Sequence, residues 1–276
     1  MRNKKLIVLF SVLCALTLLV VFNSVLFSVR HVRAYCANVQ NSAYAEQVLA
    51  AHGIKRAESI FFVNKKQVAA QVESKVPQVR VLNVEKKFPD RIYINYIEKS
   101  PYLRLYDVTN DKTYFCANDL RVMYAENGNQ TLWSGAENSE HWSGFRAINL
   151  VCDDSIPLMK AGDTVAFSGA STAEVLKGIC TAFERLGYYE QVIDLFTEWD
   201  VSGLGAPSAV ITLTMALGLK WEIVSADRNL ADKIRLALSV YASDALTAAQ
   251  KSEGTLVIAG EKASYRDAAG SIYPLG

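Results

Sequence analysis

The stretch Ser59–Pro101, SIFFVNKKQVAAQVESKVPQVRVLNVEKKFPDRIYINYIEKSP, decides how this chain is read. Ile60–Val63 is a short extended entry. Asn64 with Gln67 three residues later has the spacing of a capping box, and Val68, Ala69 and Val72 put apolar side chains on one face of the helix that follows. Pro77 closes that helix, because its ring disfavours the helical conformation at Val76. Two alternating runs come next, Val79–Val84 and Ile92–Ile97, joined by Lys86, Lys87, Phe88, Pro89 and Asp90, as an antiparallel hairpin requires. Pro89 sets the bend.

Working toward the N-terminus, Val32, Ala34 and Cys36 alternate with Arg33 and Tyr35, which predicts a first strand within Val29–Cys36. Asn41 or Ser42 is expected to cap a helix carrying Tyr44, Val48 and Ala51, ended by Gly53. The order is then strand, helix, helix, strand, strand over about residues 29–98, with the first strand returning to pair with the hairpin. Upstream, Leu6–Phe27 is a 22-residue run without a charge. As a helix it reaches about 33 Å at about 1.5 Å per residue, enough to cross a hydrocarbon core about 30 Å thick. The run exceeds the apolar region of a signal peptide and lacks a good small-x-small site after it, so it predicts an uncleaved anchor. Five residues precede it, and the N-terminal amine with Arg2, Lys4 and Lys5 favours an inside tail and an outside bulk.

Four fragments in order behind this single anchor carry a resemblance: Ser59–Asn64 before the second helix; Pro77, Gln78 and Val79 opening the hairpin; Phe88–Ile94 in its turn and second strand; and Glu98, Lys99, Ser100 and Pro101 at the exit. Together they resemble the POTRA module of the FtsQ/DivIB family of bacterial cell-division proteins. The departure is at the end of the first strand, where Cys36, Ala37 and Asn38 replace a Gly-Asn-like turn. The resemblance implies an α+β chain: tail 1–5, transmembrane helix 6–27, a POTRA-like β-α-α-β-β module at 28–99, and a β-rich second domain with packed helices at 100–276. Glu98 and Lys99 read as a solvated or locally paired exit rather than a catalytic pair.

Beyond Pro101 the chain reads as short strands. Tyr102–Tyr106 alternates, Asn110 and Asp111 mark a turn, and Thr113–Cys116 with Leu120–Tyr124 follow. Residues 127–144 are loop-like, with Trp133 and Trp142 expected to tuck back onto a sheet. Ser171 and Glu174 have capping-box spacing before Val175, Ile179, Phe183 and Leu186, an amphipathic helix. Ile211–Leu217 and Leu219–Ile223 make a hairpin across Gly218, and the apolar stretch Ala206–Leu219 is too short to span a membrane. Asn229 and Asp232 open a further helix. The segment Trp221–Val224 before Asp227–Ile234 partly matches a recurring feature of the family's second domain. Thr255–Ala259 resumes a strand and Tyr265–Asp267 is a last edge.

Composition excludes several classes of function. Lys and Arg number 29 against 28 Asp and Glu, a net charge of +1, without the bias that a nucleic-acid-binding face needs. His31, His52 and His141 are scattered, and there is no H-E-x-x-H, G-x-S-x-G or Walker A pattern. Gly203–Ser208 fails the dinucleotide fingerprint and is read as a loop. Asp153 and Asp154 are adjacent, point apart and read as a solvated turn. Asn129, Gln130 and Thr131 form a sequon that matters only in a glycosylating host. Cys36, Cys116, Cys152 and Cys180 make no C-x-x-C pair, and two disulfides or four free thiols both fit their spacing. No catalytic, cofactor or metal residue is expected.

The resemblance implies a non-enzymatic, septum-localised scaffold whose partners are small bitopic division proteins of the FtsL and FtsB/DivIC type, acting with the septal peptidoglycan synthase. It implies no small-molecule substrate and no nucleic acid. Binding is expected by β-augmentation at an open sheet edge near Thr255–Ala259 and Ser264–Asp267, with Leu256, Ile258, Ser264 and Tyr265 as candidate partner-binding residues. A POTRA-bearing outer-membrane pore would need a C-terminal barrel of many strands, for which the roughly 175 residues after Pro101, with two good helices, are poorly suited. A membrane-tethered cell-wall enzyme is the remaining alternative.

Overall fold

The computed structural model describes residues 10, 12–18, 20–21, 26–132, 147–188 and 191–275. The chain divides into two compact units, Met1–Lys99 and Ser100–Gly276. The expected membrane span lies partly outside the described residues; within it, 12–18 are helical and exposed. No helix among the described residues is long and apolar enough to cross a membrane. Trp133, His141 and Trp142 also lie outside the described residues.

In the first unit, β1 (His31–Cys36), α1 (Ala45–Ala51), α2 (Lys65–Lys75), β2 (Val79–Lys87) and β3 (Arg91–Glu98) follow in order. The sheet order is β1-β3-β2, with β1 parallel and β2 antiparallel to β3. A parallel neighbour needs a long crossover, and the two helices supply it. Asn64 caps α2 as expected, its Oδ1 accepting from the amides of Lys66 at 3.1 Å and Gln67 at 3.3 Å. Val68 and Val72 face inward with Val48, Ile60, Ile92, Ile94 and Tyr96. The first helix starts later than expected: neither Asn41 nor Ser42 is its cap, and Ser42 Oγ instead accepts from the Tyr44 amide at 3.2 Å.

Asn38 explains the departure at the end of β1. Its amide closes a two-bond clamp on the backbone of Glu98, accepting from the Glu98 N–H and donating to the Glu98 carbonyl, both at 2.9 Å. The ends of the parallel pair are thereby fastened by a side chain. Glu98 itself is not solvated. The period of two along β3 puts it on the face of Ile92, Ile94 and Tyr96, where it is buried and its Oε1 has no partner among the described residues.

The second unit begins with β4 (Leu103–Asp107), β5 (Lys112–Cys116), β6 (Val122–Asn127) and β7 (Ile148–Val151). Then come α3 (Ala170–Arg185), α4 (Val192–Leu195), β8 (Phe196–Asp200), β9 (Ile211–Met215), β10 (Lys220–Val224), α5 (Leu230–Ala242), α6 (Ala248–Ser252), β11 (Thr255–Ala259), β12 (Lys262–Arg266) and β13 (Ile272–Leu275). They form one sheet in the order β13-β12-β11-β10-β9-β8-β7-β4-β5-β6. The pairs β4/β7, β7/β8 and β10/β11 are parallel and the rest antiparallel. Helices α3 and α4 lie in the β7-to-β8 crossover, and α5 and α6 in the β10-to-β11 crossover.

Alternation along the strands sorts the two faces of this sheet. Leu213, Trp221, Ile223, Leu256 and Ile258 are fully buried with Ile179 and Phe183 of α3 and Ile234 of α5. Gly178 lets α3 and α5 meet closely, since a Cβ there would stand 3.2 Å from Leu230 Cδ2. Aromatic rings fill the centre: Phe183 stacks on Trp199 at 6.3 Å, and Phe196 meets Trp221 edge-on at 5.1 Å. On the opposite face polar residues ladder across strands. Arg104, Asn149 and Glu198 are register neighbours, joined by Arg104 Nη1 to Asn149 Oδ1 at 2.6 Å and Asn149 Nδ2 to Glu198 Oε2 at 3.0 Å.

Two helix starts in this unit lack the side-chain cap that the sequence pattern suggests. Helix α3 begins at Ala170 behind Gly169, two residues before the expected cap Ser171, and Gly169 has no side chain to offer. Asp154 takes over from a distant loop. Its carboxylate accepts from the Gly169 amide at 2.7 Å, the Ser168 hydroxyl at 2.9 Å and the Thr172 hydroxyl. Burial alone would raise its pKa, but the donors Thr172, Ser168 and Gly169 together outweigh that and hold it below the ordinary carboxylate value. At α5, Asn229 stands at the cap in a left-handed conformation (φ 50°) with no side-chain capping bond.

Candidate partner-binding edge

The last three strands form an antiparallel meander whose inner member, β11, also pairs with β10. Strand β12 is not the edge. Strand β13 covers it, with Tyr265 opposite Tyr273 and Arg266 opposite Ile272. The turn between them is built on Asp267, whose amide donates to the Ser271 carbonyl at 3.0 Å and whose Oδ1 accepts from the Ser271 amide at 2.8 Å. Its Oδ2 accepts from the Tyr273 hydroxyl at 3.2 Å.

This arrangement changes the standing of the four residues expected to bind a partner. Leu256 and Ile258 are 0% exposed and Tyr265 is 3% exposed, all on the helix-covered face. The Tyr265 ring stacks on Tyr273, and its hydroxyl donates to the Glu253 carbonyl at 3.2 Å. That ring crosses directly over Gly254 (φ +80°), where a Cβ would lie 2.5 Å from the Tyr265 hydroxyl. Ser264 alone is on the opposite, half-exposed face, beside Val257 in register. The physical reason is the pleat: the apolar residues that made these strands recognisable are those that fill the core.

Among the described residues the unpaired edge at this end of the sheet therefore belongs to β13, where Ile272 is 64% and Tyr273 49% exposed. Pro274 has no N–H, and a proline in an edge strand turns its nitrogen away from the ladder. Residues 272 and 274 then direct their backbone outward and Tyr273 directs its own onto β12. The outward surface is a short row of carbonyls with one amide, that of Ile272.

Groups with reactive potential are held in structural roles. Among the described residues no three His, Cys, Asp or Glu side chains are placed to hold a metal ion. His52 Nδ1 accepts from the Ile54 amide at 2.8 Å, and burial with nearby Lys75 lowers its pKa. The Lys233 ammonium, nearly buried, donates to the carbonyls of Val224 at 2.9 Å and Ser225 at 2.6 Å, tying α5 to the end of β10. All five cysteines are free thiols. Burial pushes Cys152 up to about 11 and Cys180 up to about 12, and raises Cys116 further.

Residues 38–98 match the family model described as the POTRA domain, FtsQ-type. The chain carries an FtsQ-type POTRA domain. The match runs from Asn38, the residue that clamps Glu98, to Glu98 itself, and so covers α1, α2, β2 and β3. It bears out the resemblance to the FtsQ/DivIB family drawn from the motifs around Ser59–Pro101. No curated protein matches the chain. The match covers 61 of the chain's 276 residues.

Proposed function

We propose that the chain is a membrane-anchored scaffold of the bacterial division machinery, with residues 6–27 as its single span and residues 28–276 outside the membrane. The FtsQ-type POTRA domain carries this reading, supported by the uncharged run that precedes it. The partners are small bitopic proteins of the FtsL and FtsB/DivIC type, through which the scaffold supports septal peptidoglycan synthesis. A strand of such a partner adds to the free edge of β13, where backbone hydrogen bonds give affinity and place few demands on side-chain identity.

The test is co-purification of the bitopic partner with the full chain carrying Ile272→Pro. This change removes the outward amide of β13 and leaves the inward pairing of Tyr273 in place. Affinity is expected to fall about tenfold, as for the loss of about one hydrogen bond, with thermal unfolding unchanged. Partner recovery at the wild-type level would refute the edge. Ile258→Asn, by contrast, puts an amide into the core and is expected to unfold the second unit, so loss of binding in that variant carries no information about the surface.

A further inference from the structure

The corner of the first unit where the chain enters it carries aromatic surface that the fold does not use. Phe27, Phe61 and Phe88 cluster there, with ring centroids 5.0 Å apart for Phe27 and Phe61, 5.3 Å for Phe61 and Phe88 and 6.4 Å for Phe27 and Phe88. Phe61 is 51% exposed, Phe88 57%, and the neighbouring Phe62 75%. Core packing does not account for Phe61, Phe62 and Phe88: in the same segment Ile60 and Val63 turn inward and are buried, while Phe27, at the base of the cluster, is half-buried against that core. The backbone holds the cluster firmly, because the Ile60 amide donates to the Phe27 carbonyl at 2.7 Å and Ser28 bridges to Ser59.

The charges around it are net basic. Arg30, Lys86, Lys87 and Arg91, on the segments that meet here, stand against Glu58, Glu85 and Asp90, and Arg91 Nε lies 3.8 Å from Asp90 Oδ1. Lys86 Nζ donates to the Phe61 carbonyl at 3.1 Å, and Lys87 meets Glu85 at 2.9 Å. The amide of Arg30 donates to the Asp90 carbonyl at 3.0 Å, so the hairpin turn and the entering chain share this corner. Glu58 directs its carboxylate to the Lys55 amide.

We infer that this phenylalanine corner is a membrane-contact surface that seats the FtsQ-type POTRA domain on the bilayer from which its own anchor emerges. The inference rests on the reading of residues 6–27 as a span. Phe27 is both the last residue of that run and a member of the cluster, so a span ending there brings Phe61 and Phe88 to the level of the lipid headgroups by covalent continuity alone. Rings that would be costly in water are at home at that depth, and Lys and Arg beside them meet anionic headgroups. The domain is then held by a second, non-covalent contact beside its tether, which restricts its swing about the end of the helix.

The test uses the full chain in phosphatidylethanolamine–phosphatidylglycerol vesicles, with p-benzoylphenylalanine replacing Phe62, Leu82 or Leu16 in separate preparations. Photo-adducts are then identified by mass spectrometry. Position 62 is exposed and outside the core, so the replacement leaves the fold intact; Leu82, exposed in the middle of β2, is the control. Lipid adducts at 62 are expected in several-fold excess over those at 82. Equal yields at 62 and 82, with lipid adducts at 16, would overturn the contact and leave the anchor standing. Absence of lipid adducts at 16 as well would overturn the anchor and the contact together. Adducts of 62 with a second copy of the chain in place of lipid would overturn the membrane assignment in favour of self-association.

Discussion

Asp154 shows how one side chain acquires a role that its neighbours in sequence do not suggest. Beside Asp153 it reads as half of a solvated turn, and the spacing of Ser171 and Glu174 suggests that α3 caps itself. The structure gives the cap to Asp154, reaching from 14 to 18 residues away onto Ser168, Gly169 and Thr172. A carboxylate at that place also meets the partial positive charge of the helix N-terminus. Asp154→Asn is expected to cost about 1–2 kcal/mol at neutral pH. Because its folded pKa is lowered, the stabilisation is fully present above the unfolded value and is lost as pH falls through the folded one. Thermal unfolding of the two forms should therefore differ by a constant amount near neutrality and converge below about pH 4. A difference that persists undiminished into strong acid would show that the charge is not what matters.

Among the elements, the helix and hairpin of Ser59–Pro101 are the ones their own residues specify best. Asn64, Pro77 and the alternation of Ile92, Ile94 and Tyr96 act over a few residues, so local chemistry suffices to set the bounds of α2 and β3. Asn64→Ala is expected to remove two bonds at the N-terminus of α2 and to destabilise the first unit by about 1 kcal/mol. Asn64→Asp should be nearly neutral, both read by denaturant unfolding; equal losses in the two would point to something other than capping. Strand β13 is the opposite case. Ser271–Leu275 is short and contains Pro274, which argues against a strand in an isolated reading, and only pairing with β12 and the Asp267 turn make it one. Missing it moved the expected edge one strand inward, onto residues that fill the core.

For the chain as a whole, the thiols report on burial in both units. Cys116 and Cys180 are buried, while Cys36 and Cys152 are partly exposed and Cys152 is held up at about 11. Maleimide at neutral pH is expected to modify Cys36 ahead of Cys152 and to reach Cys116 and Cys180 only in denaturant. Protection that survives denaturant without reductant would reveal disulfides in the protein as isolated. The even cysteine number outside the apolar run could not decide this, because pairing depends on distances that only the folded chain defines.

The amino-acid order was enough for the β-α-α-β-β module, the Asn64 cap of its second helix and its family, since these rest on contacts between residues near one another and on side-chain periodicity. It was also enough to show the uncharged run Leu6–Phe27 and the want of any reactive motif. Only the tertiary structure decided that Leu256, Ile258 and Tyr265 are core, that β13 is the outer strand, and that Phe27, Phe61 and Phe88 meet at one exposed corner. Each of those depends on which strand pairs with which and on which face a helix covers. These are long-range choices, set by the burial of the whole apolar surface rather than by any stretch of it.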